Sequence, residues 1–297
     1  MDRYLTPRCL QSIACAMGGP YLSASLRSAS RYTAMSVPAI PSKFLHASEL
    51  MRHAASTGDL PLCQFVKNMG CYAFYDMLRL GAENGYKHIC ERAIEWGALN
   101  KDKLLNYASS GGRKDIVIWA MDKYKLEAEV FDLMGAAYGG HNELCEFLME
   151  YLNSHKLVYA ELMLSEAAKG GHATTCALAF KYGARNYRSM LFNAAQFGMD
   201  NICIMAKELL GGKISPGDLN TMLHDAAAAG NLSTCRLARK WGARHYGGML
   251  IAAAAQGNIK MCKLAQKWGA RNYSDMEMVG KDHFPDVIRL MKRWLRK

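Results

Sequence analysis

An internal repeat of about 27 residues constrains this chain more than any other feature. Two segments, MLHDAAAAGNLSTCRLARKWGAR from Met222 and MLIAAAAQGNIKMCKLAQKWGAR from Met249, are closely similar and begin 27 residues apart. Self-similarity at a short fixed period is typical of stacked repeats, in which each unit contacts only its neighbours. The chain should therefore fold as an array of repeats.

The same frame recurs along most of the chain. It consists of Met-Leu, small residues four and five positions later, Gly eight later, Cys thirteen later, and an aromatic-Gly-Ala ending. Earlier copies, some of them degraded, begin at Leu50, Met77, Leu104, Asp132, Met163 and Met190. The intervals of 27 to 32 residues predict about eight repeats over residues 49–275, and a partial copy begins at Met276.

Each copy has the pattern of two short helices. In the first, Met249 and Leu250 are followed one turn later by an Ala pair, and Gly257 is a natural helix terminator. The second is predicted from Ile259 to Trp268, with Lys side chains on its outer face. Neither helix is long enough to be stable alone. The sequence therefore predicts an all-α solenoid of helical hairpins.

These strings resemble the ankyrin repeat, whose signature runs T-P-L-H-x-A-A-x-x-G-H before apolar pairs and Gly-Ala. The Gly-His step is matched at Gly140-His141 and Gly171-His172, and the Leu-His step at Leu223-His224. Met or a polar residue replaces the ankyrin Thr-Pro, and the period is about six residues short of the usual ~33. The resemblance implies a curved stack with shortened loops that binds other proteins.

The ending Cys-x-Leu-Ala-x-x-Trp-Gly-Ala-Arg is similar to ankyrin-like arrays that large nucleocytoplasmic DNA viruses encode in multicopy families. It occurs as CRLARKWGAR and CKLAQKWGAR in the two most similar copies. The resemblance covers residues 50–275. It implies a role in protein–protein interaction in the host cell or the virion and does not fix the partner.

Seven of the ten cysteines occupy one position of the repeat, and Val117 takes that position in another copy. One cause must serve all seven, and Cys behaves as a small apolar residue inside cores. No Cys-x-x-Cys occurs, so the spacing does not indicate a zinc site. We expect these thiols to be reduced, buried and metal-free, and we predict no cofactor. They are Cys63, Cys90, Cys145, Cys176, Cys203, Cys235 and Cys262.

Two His–Cys pairs, His141 with Cys145 and His172 with Cys176, have the four-residue spacing of a nucleophile pair on a helix. Other copies carry Asp or Asn near the His position, and these residues favour helix starts by accepting backbone N–H bonds. The equivalents are Asp59, Asp200, Asn231 and Asn258. We interpret all of them as helix caps. Since no hydrolase or kinase motif is present either, we predict no enzymatic activity.

Partner contacts in ankyrin arrays lie on the first helices and loops, where variable residues stand between fixed ones. By this analogy, Phe192 and Phe197 would be typical anchors. The candidate partner-binding residues are Phe192, Asn193, Gln196, Phe197, His224, Asp225, Ile251 and Gln256. The leading hypothesis is a non-enzymatic adaptor that presents a groove to a protein partner.

The C-terminal part of the chain is strongly basic. Residues 181–297 carry 19 Lys and Arg against 8 Asp and Glu, in a chain of net charge +11. Recurring cations around Gly-Ala predict a basic edge made of Lys181, Arg185, Lys240, Arg244, Lys267 and Arg271. Such a field favours acidic partners, although cations also stabilise helix C-termini on their own account. The alternative function is a structural virion or nucleic-acid-associated protein that uses this edge.

Aromatic residues precede Gly-Ala in four copies, at Trp96, Tyr182, Trp241 and Trp268. Such a ladder could stack nucleic-acid bases. Its regular place at a helix end favours packing against the neighbouring repeat instead.

The two ends of the chain differ from the array. Residues 3–48 lack Asp and Glu, and residues 1–48 are interpreted as an N-terminal arm or irregular cap, with a transit segment as a third alternative. The apolar pattern after Phe284 predicts a capping helix within residues 276–297.

The compartment is predicted from composition. No apolar stretch approaches the roughly 18 residues of a membrane span. Ten cysteines without a convincing secretory leader favour a reducing intracellular compartment. The cytoplasm is the leading prediction, with the nucleus or the virion as alternatives. The sequence does not indicate an oligomeric state.

Overall fold

The computed structural model of the protein describes residues 47–275 and 284–295, and every regular element within them is a helix. The described residues divide into two compact units, one that ends at Asp132 and one that begins at Leu133. The predicted N-terminal arm lies outside the described residues except for its last two positions, as do residues 276–283, 296 and 297 of the predicted capping segment. The boundaries at residues 48 and 275 stay predictions.

The helices follow one another as hairpins. Those in residues 47–129 are α1 (Ala47–Thr57), α2 (Leu60–Asn68), α3 (Phe74–Asn84), α4 (Lys87–Glu95), α5 (Leu104–Ser110) and α6 (Lys114–Tyr124). Next come α7 (Val130–Gly139), α8 (Asn142–Tyr151), α9 (Lys156–Gly170), α10 (Ala173–Lys181), α11 (Tyr187–Phe197) and α12 (Asp200–Leu209). The last are α13 (Pro216–Ala228), α14 (Leu232–Trp241), α15 (Tyr246–Ala255), α16 (Ile259–Trp268) and α17 (Pro285–Leu295).

Within each unit, the first helices of successive hairpins pack against one another. In the first unit α3 packs on both α1 and α5, and in the second unit α9, α11, α13 and α15 pack in series. The second helices pack mainly on the first helix of their own hairpin. The predicted all-α solenoid of helical hairpins is therefore confirmed within each unit.

The core is built from the fixed residues of the repeat. In α13, Met222, Leu223, Ala226 and Ala227 are completely buried, and their equivalents in α11 and α15 are buried as well. Small Ala side chains at these positions let neighbouring first helices approach closely. The predicted second helix from Ile259 to Trp268 is α16 with those bounds.

At seven joints between hairpins, a side chain docks on the glycine of the preceding hairpin. Gly198 has φ of +77°, and a Cβ there would lie 2.9 Å from Cγ of Asn231. The Asn231 amide Nδ2 donates to the Gln196 carbonyl oxygen at 2.7 Å. Gly is thus required both by the left-handed backbone and by the docked side chain. We call Asn231 and its equivalents docking residues.

The predicted capping roles are partly wrong. Asp59 and Asn258 do cap their helices, since they accept hydrogen bonds from the backbone N–H groups of Leu62 and Met261 at 2.9 and 3.1 Å. Asn231 stands at the cap but binds the preceding hairpin, because its amide reaches a backbone carbonyl there. Asp200 is the first residue of α12 and accepts a hydrogen bond from the Thr234 hydroxyl at 2.6 Å.

The last described helix repeats the second helix of a hairpin. Phe284 lies against Gly257 as a docking residue, and Val287 and Met291 of α17 are buried. Tyr273 and Trp294 have ring centroids 5.4 Å apart, which matches the Tyr246–Trp268 pair at 5.7 Å one repeat earlier. Helix α17 is therefore equivalent to α16.

Candidate interaction surfaces

The repeat cysteines are core residues. All seven are completely buried, which confirms the predicted burial. Burial raises the pKa of Cys262 to about 11 and that of the other six to about 12, so the thiols stay protonated at neutral pH. Among the described residues, no group of three or more His, Cys, Asp and Glu is placed to hold a metal ion.

The two His–Cys pairs lack the features of a nucleophilic site. Nucleophilic catalysis needs a thiolate, and burial raises the pKa of Cys145 and of Cys176 to about 12. His141 and His172 stand at the N-caps of α8 and α10, as predicted, but neither side chain makes the expected capping hydrogen bond. The imidazole of His172 lies against Gly140 as a docking residue.

The eight candidate partner-binding residues lie on three successive first helices or at their ends. Gln196, Phe197, His224 and Gln256 are exposed, and Phe192, Asn193, Asp225 and Ile251 are half-buried. Some already have partners within the chain. Asn193 Nδ2 donates to the Ser165 hydroxyl at 2.8 Å, and His224 Nδ1 lies 3.1 Å from Asp225 Oδ1. The surface formed by these eight residues thus includes exposed side chains as well as side chains that bond to other residues of the chain.

Phe197 has an exposed aromatic partner, Tyr138, that the sequence analysis missed. Tyr138 of α7 and Phe197 of α11 are 48% and 40% exposed, and their ring centroids lie 6.4 Å apart in an edge-to-face arrangement. The two rings come from alternate first helices. Gly170 lies on the helix between them, where a Cβ would clash with the Tyr138 carbonyl oxygen. The same Gly-Gly step as at Gly170-Gly171 also occurs at Gly111-Gly112 and Gly139-Gly140, so it does not by itself indicate the aromatic pair.

No protein-family model and no curated protein matches the sequence. Among solved structures, the chain is similar to the ankyrin repeat domain of human ASB11, at 19% sequence identity and a TM-score of 0.43. The match covers 65% of this chain and 97% of that chain. No helix in the described part of the chain is long and apolar enough to cross a membrane.

The three arginines of the predicted basic edge share one local geometry. In each, Nη1 donates to the carbonyl oxygens one and five residues earlier, at 2.6 and 2.9 Å for Arg185, 2.8 and 3.1 Å for Arg244, and 2.8 and 3.3 Å for Arg271. These carbonyls lie at the end of the second helix and just after it, where helices lack intrahelical donors. Each arginine side chain therefore caps the C-terminus of a helix and is also an exposed cation. Lys181, Lys240 and Lys267 are exposed beside them.

The tryptophans at the ends of the second helices are covered by cations from the preceding hairpin. Lys67 Nζ lies 4.5 Å from the ring centroid of Trp96, and Lys207 Nζ lies 4.7 Å from that of Trp241. Such cation–π contacts stabilise the junction between hairpins. The arrangement supports the packing interpretation, since a covered ring face cannot stack a base.

Proposed function

We propose that this chain is a non-enzymatic protein-interaction adaptor of the ankyrin type. The observation that carries the proposal is the exposed Tyr138–Phe197 pair on the first-helix face of the second unit. Large aromatic side chains supply much contact area at little conformational cost, and they dominate many protein interfaces. The repeat motif with its Ala pairs and Gly-His steps supports the same conclusion.

The face around this pair offers both apolar and polar contacts. Gln196 is exposed beside Phe197, and Phe192 lies five residues earlier on the same helix with the Arg188 guanidinium 5.8 Å from its ring centroid. Because these side chains stand on packed helices, little backbone ordering is required on binding. We propose that the predicted residues of α11, α13 and α15 extend this contact surface.

The test compares the wild type with the double variant Tyr138→Ala and Phe197→Ala. Partners are captured by affinity purification with nuclease treatment, and binding is then measured with the purified partner. Loss of an aromatic anchor costs about 2 kcal/mol, so we expect roughly thirtyfold weaker binding. Ile204→Ala is the matched control, because Ile204 is 45% exposed but lies on α12. Undiminished binding by the double variant would refute the proposal.

The finer proposal concerns the setting of the interaction. The Cys-x-Leu-Ala-x-x-Trp-Gly-Ala-Arg ending supports a viral array that acts on host or virion proteins. The cysteine content supports a reducing compartment, namely the cytoplasm, or alternatively the nucleus or virion. The identity of the captured partner decides both points.

A further inference from the structure

A basic stretch without acidic residues runs through α14, α15 and α16 of the second unit. Between Ala226 and Ser274 the chain has eight Lys and Arg and no Asp or Glu. Across residues 47–275 and 284–295, none of the eight cations forms an ion pair. The eight are Arg236, Arg239, Lys240, Arg244, Lys260, Lys263, Lys267 and Arg271. No carboxylate of the described residues therefore neutralises these cations by direct contact.

Four of these cations line one open groove together with two aromatic rings. Arg236, Arg239 and Lys240 come from α14, Arg244 and Tyr246 from the turn after it and the start of α15, and Trp268 from the end of α16. The groove encloses about 450 Å³. We call these six residues the basic groove.

The aromatic rings of the basic groove hold Arg239 in place. The Cζ atom of Arg239 lies 4.7 Å from the ring centroid of Trp268 and 5.9 Å from that of Tyr246. The two rings meet edge to face at 5.7 Å. A guanidinium stacked in this way keeps its N–H edge available, and that edge matches the two oxygens of a carboxylate.

Arg244 is also fixed in orientation, because its Nη1 caps α14 through the carbonyl oxygens of Arg239 and Ala243. Two oriented guanidinium groups therefore face one groove. Preorganised donors bind an anion with less loss of side-chain freedom than mobile lysines do.

Most of these residues recur one repeat later, with Gln266 in the place of Arg239. Lys263, Lys267 and Arg271 take the places of Arg236, Lys240 and Arg244, and the Tyr273–Trp294 pair takes the place of Tyr246 with Trp268. Packed neighbouring helices are separated by about 10 Å. An extended peptide advances about 3.3 Å per residue, so every third side chain of such a peptide would meet the next copy.

We propose that the basic groove and its neighbouring copy bind an acidic segment of a protein partner, held in extended conformation with a carboxylate at about every third residue. The surface is separate from the Tyr138–Phe197 face, and the proposal does not depend on the function assigned to that face. Nucleic acid fits less well, because Arg239 already covers a face of Trp268 that a base would need.

The test uses the full chain and fluorescence anisotropy with three labelled probes. The first is a peptide of about twelve residues with Glu at every third position and Gly or Ser between. The second has the same composition with its Glu residues contiguous, and the third is an oligothymidylate of similar charge. We expect the periodic peptide to bind about tenfold more tightly than the contiguous one, as the loss of one bidentate contact would cause.

Two variants test the groove itself. Arg239→Gln should abolish the preference for the periodic peptide, and Arg239→Lys should weaken peptide binding although the charge is kept, because Lys lacks the planar fork. Lys213→Gln is the matched control, since Lys213 is exposed in the linker between α12 and α13. Circular dichroism checks that each variant remains folded.

The outcomes are distinct. Preference for the periodic peptide that is lost in Arg239→Gln and kept in Lys213→Gln supports the proposal. Tighter binding of the oligonucleotide, with steep salt dependence and no effect of Arg239→Lys, overturns it in favour of phosphate contacts. Equal binding of the two peptides, equal effects of the Arg239 and Lys213 variants, or no binding of any probe also overturns it.

Discussion

At the scale of a single residue, Cys262 tests what the repeat cysteines contribute. Its side chain is completely buried, and Val117 fills the equivalent position without a sulfur atom. Cys262→Ala leaves a small cavity, so we expect a loss of about 1 kcal/mol in the free energy of unfolding, with unchanged partner binding. Chemical denaturation measures the loss. Stoichiometric zinc in the purified protein would contradict this interpretation.

Asp132 gives a second prediction, on pH. The residue is 5% exposed, its carboxylate accepts the Glu129 backbone N–H at 2.7 Å, and burial raises its pKa to about 6. Between the ordinary pKa of Asp and a pH of about 6, the folded state thus holds a proton that the unfolded state releases. This contribution to stability is fully present below the ordinary pKa of Asp and is lost as the pH rises through about 6.

The variant Asp132→Asn isolates that contribution. It keeps an oxygen acceptor for Glu129 but cannot ionise. We expect it to be more stable than the wild type at pH 7.5 by on the order of 2 kcal/mol, and to lose that advantage near pH 4. Denaturation at the two pH values measures the difference. Asp122→Asn, at an exposed position, should show no such pattern, and a parallel response of Asp132→Asn and wild type would exclude the assignment.

Single positions differ in how far the sequence predicts them. The burial of Cys262 follows from its repeat position, because seven copies share one environment. The roles of Asp200 and Asn231 do not, since an Asn at a helix start can either cap its own helix or reach a carbonyl of the neighbouring hairpin. That choice depends on the distance between hairpins, which the repeat pattern alone does not give.

At the scale of the element, two glycines separate backbone strain from docking. Gly198 and Gly212 have φ of +77° and +76°, but only Gly198 is crowded, by Asn231. Both Gly→Ala variants should lose about 1 kcal/mol through the left-handed backbone. We expect Gly198→Ala to lose at least about 1 kcal/mol more, because the Asn231 hydrogen bond is displaced. Equal melting temperatures for the two variants would contradict the docking role.

The arginine caps revise an expectation from the sequence. Changing Arg185, Arg244 and Arg271 to Glu touches no core residue, so the sequence alone predicts little change in thermal stability. The structure assigns each arginine two hydrogen bonds at a helix C-terminus, and Glu would bring a negative charge there. We now expect a loss of about 1 kcal/mol per site.

A matched triple variant controls for charge. Changing Lys181, Lys240 and Lys267 to Glu alters the net charge equally, and these side chains make no hydrogen bond within the described residues. Thermal denaturation should therefore separate the two triples, with the Arg triple the less stable. Equal stabilities would mean that the caps contribute nothing.

The bounds of individual helices were easier to predict from the sequence than the contacts between helices. The bounds of α16 follow from apolar spacing and from Gly269, which are local signals. The Tyr138–Phe197 pair joins alternate first helices, and it depends on the absence of a side chain at Gly170. A pattern search within one repeat cannot detect a contact made across two.

At the scale of the whole molecule, truncation tests the end of the array. Deleting residues 276–297 removes Phe284, which lies against Gly257, together with the buried side chains of Val287 and Met291. The apolar surface on which these side chains pack then becomes exposed to solvent. End repeats are held on one side only, so we expect aggregation or loss of helicity. Size-exclusion chromatography and circular dichroism provide the readout. A soluble truncation of equal stability would refute the capping role.

The architecture within each unit was predictable, because every hairpin repeats the same local rules. The division into two compact units after Asp132 was not predicted, and the frame gives no sign of it. The intervals lengthen to 28 and 31 residues around that point, but a single sequence does not distinguish a longer loop from a break in packing.

The contact between each docking residue and the glycine of the preceding hairpin also affects how such a chain can change in length. A duplicated segment of 27 residues carries its own glycine and its own docking side chain, so it brings both halves of the joint with it. In a copy inserted between two hairpins, the docking side chain would contact the glycine of the preceding hairpin. The glycine of the inserted copy would accept the docking side chain of the following hairpin. Gain or loss of whole copies would therefore preserve the glycine contact between adjacent hairpins. The binding surface could become longer or shorter without substitutions in the core.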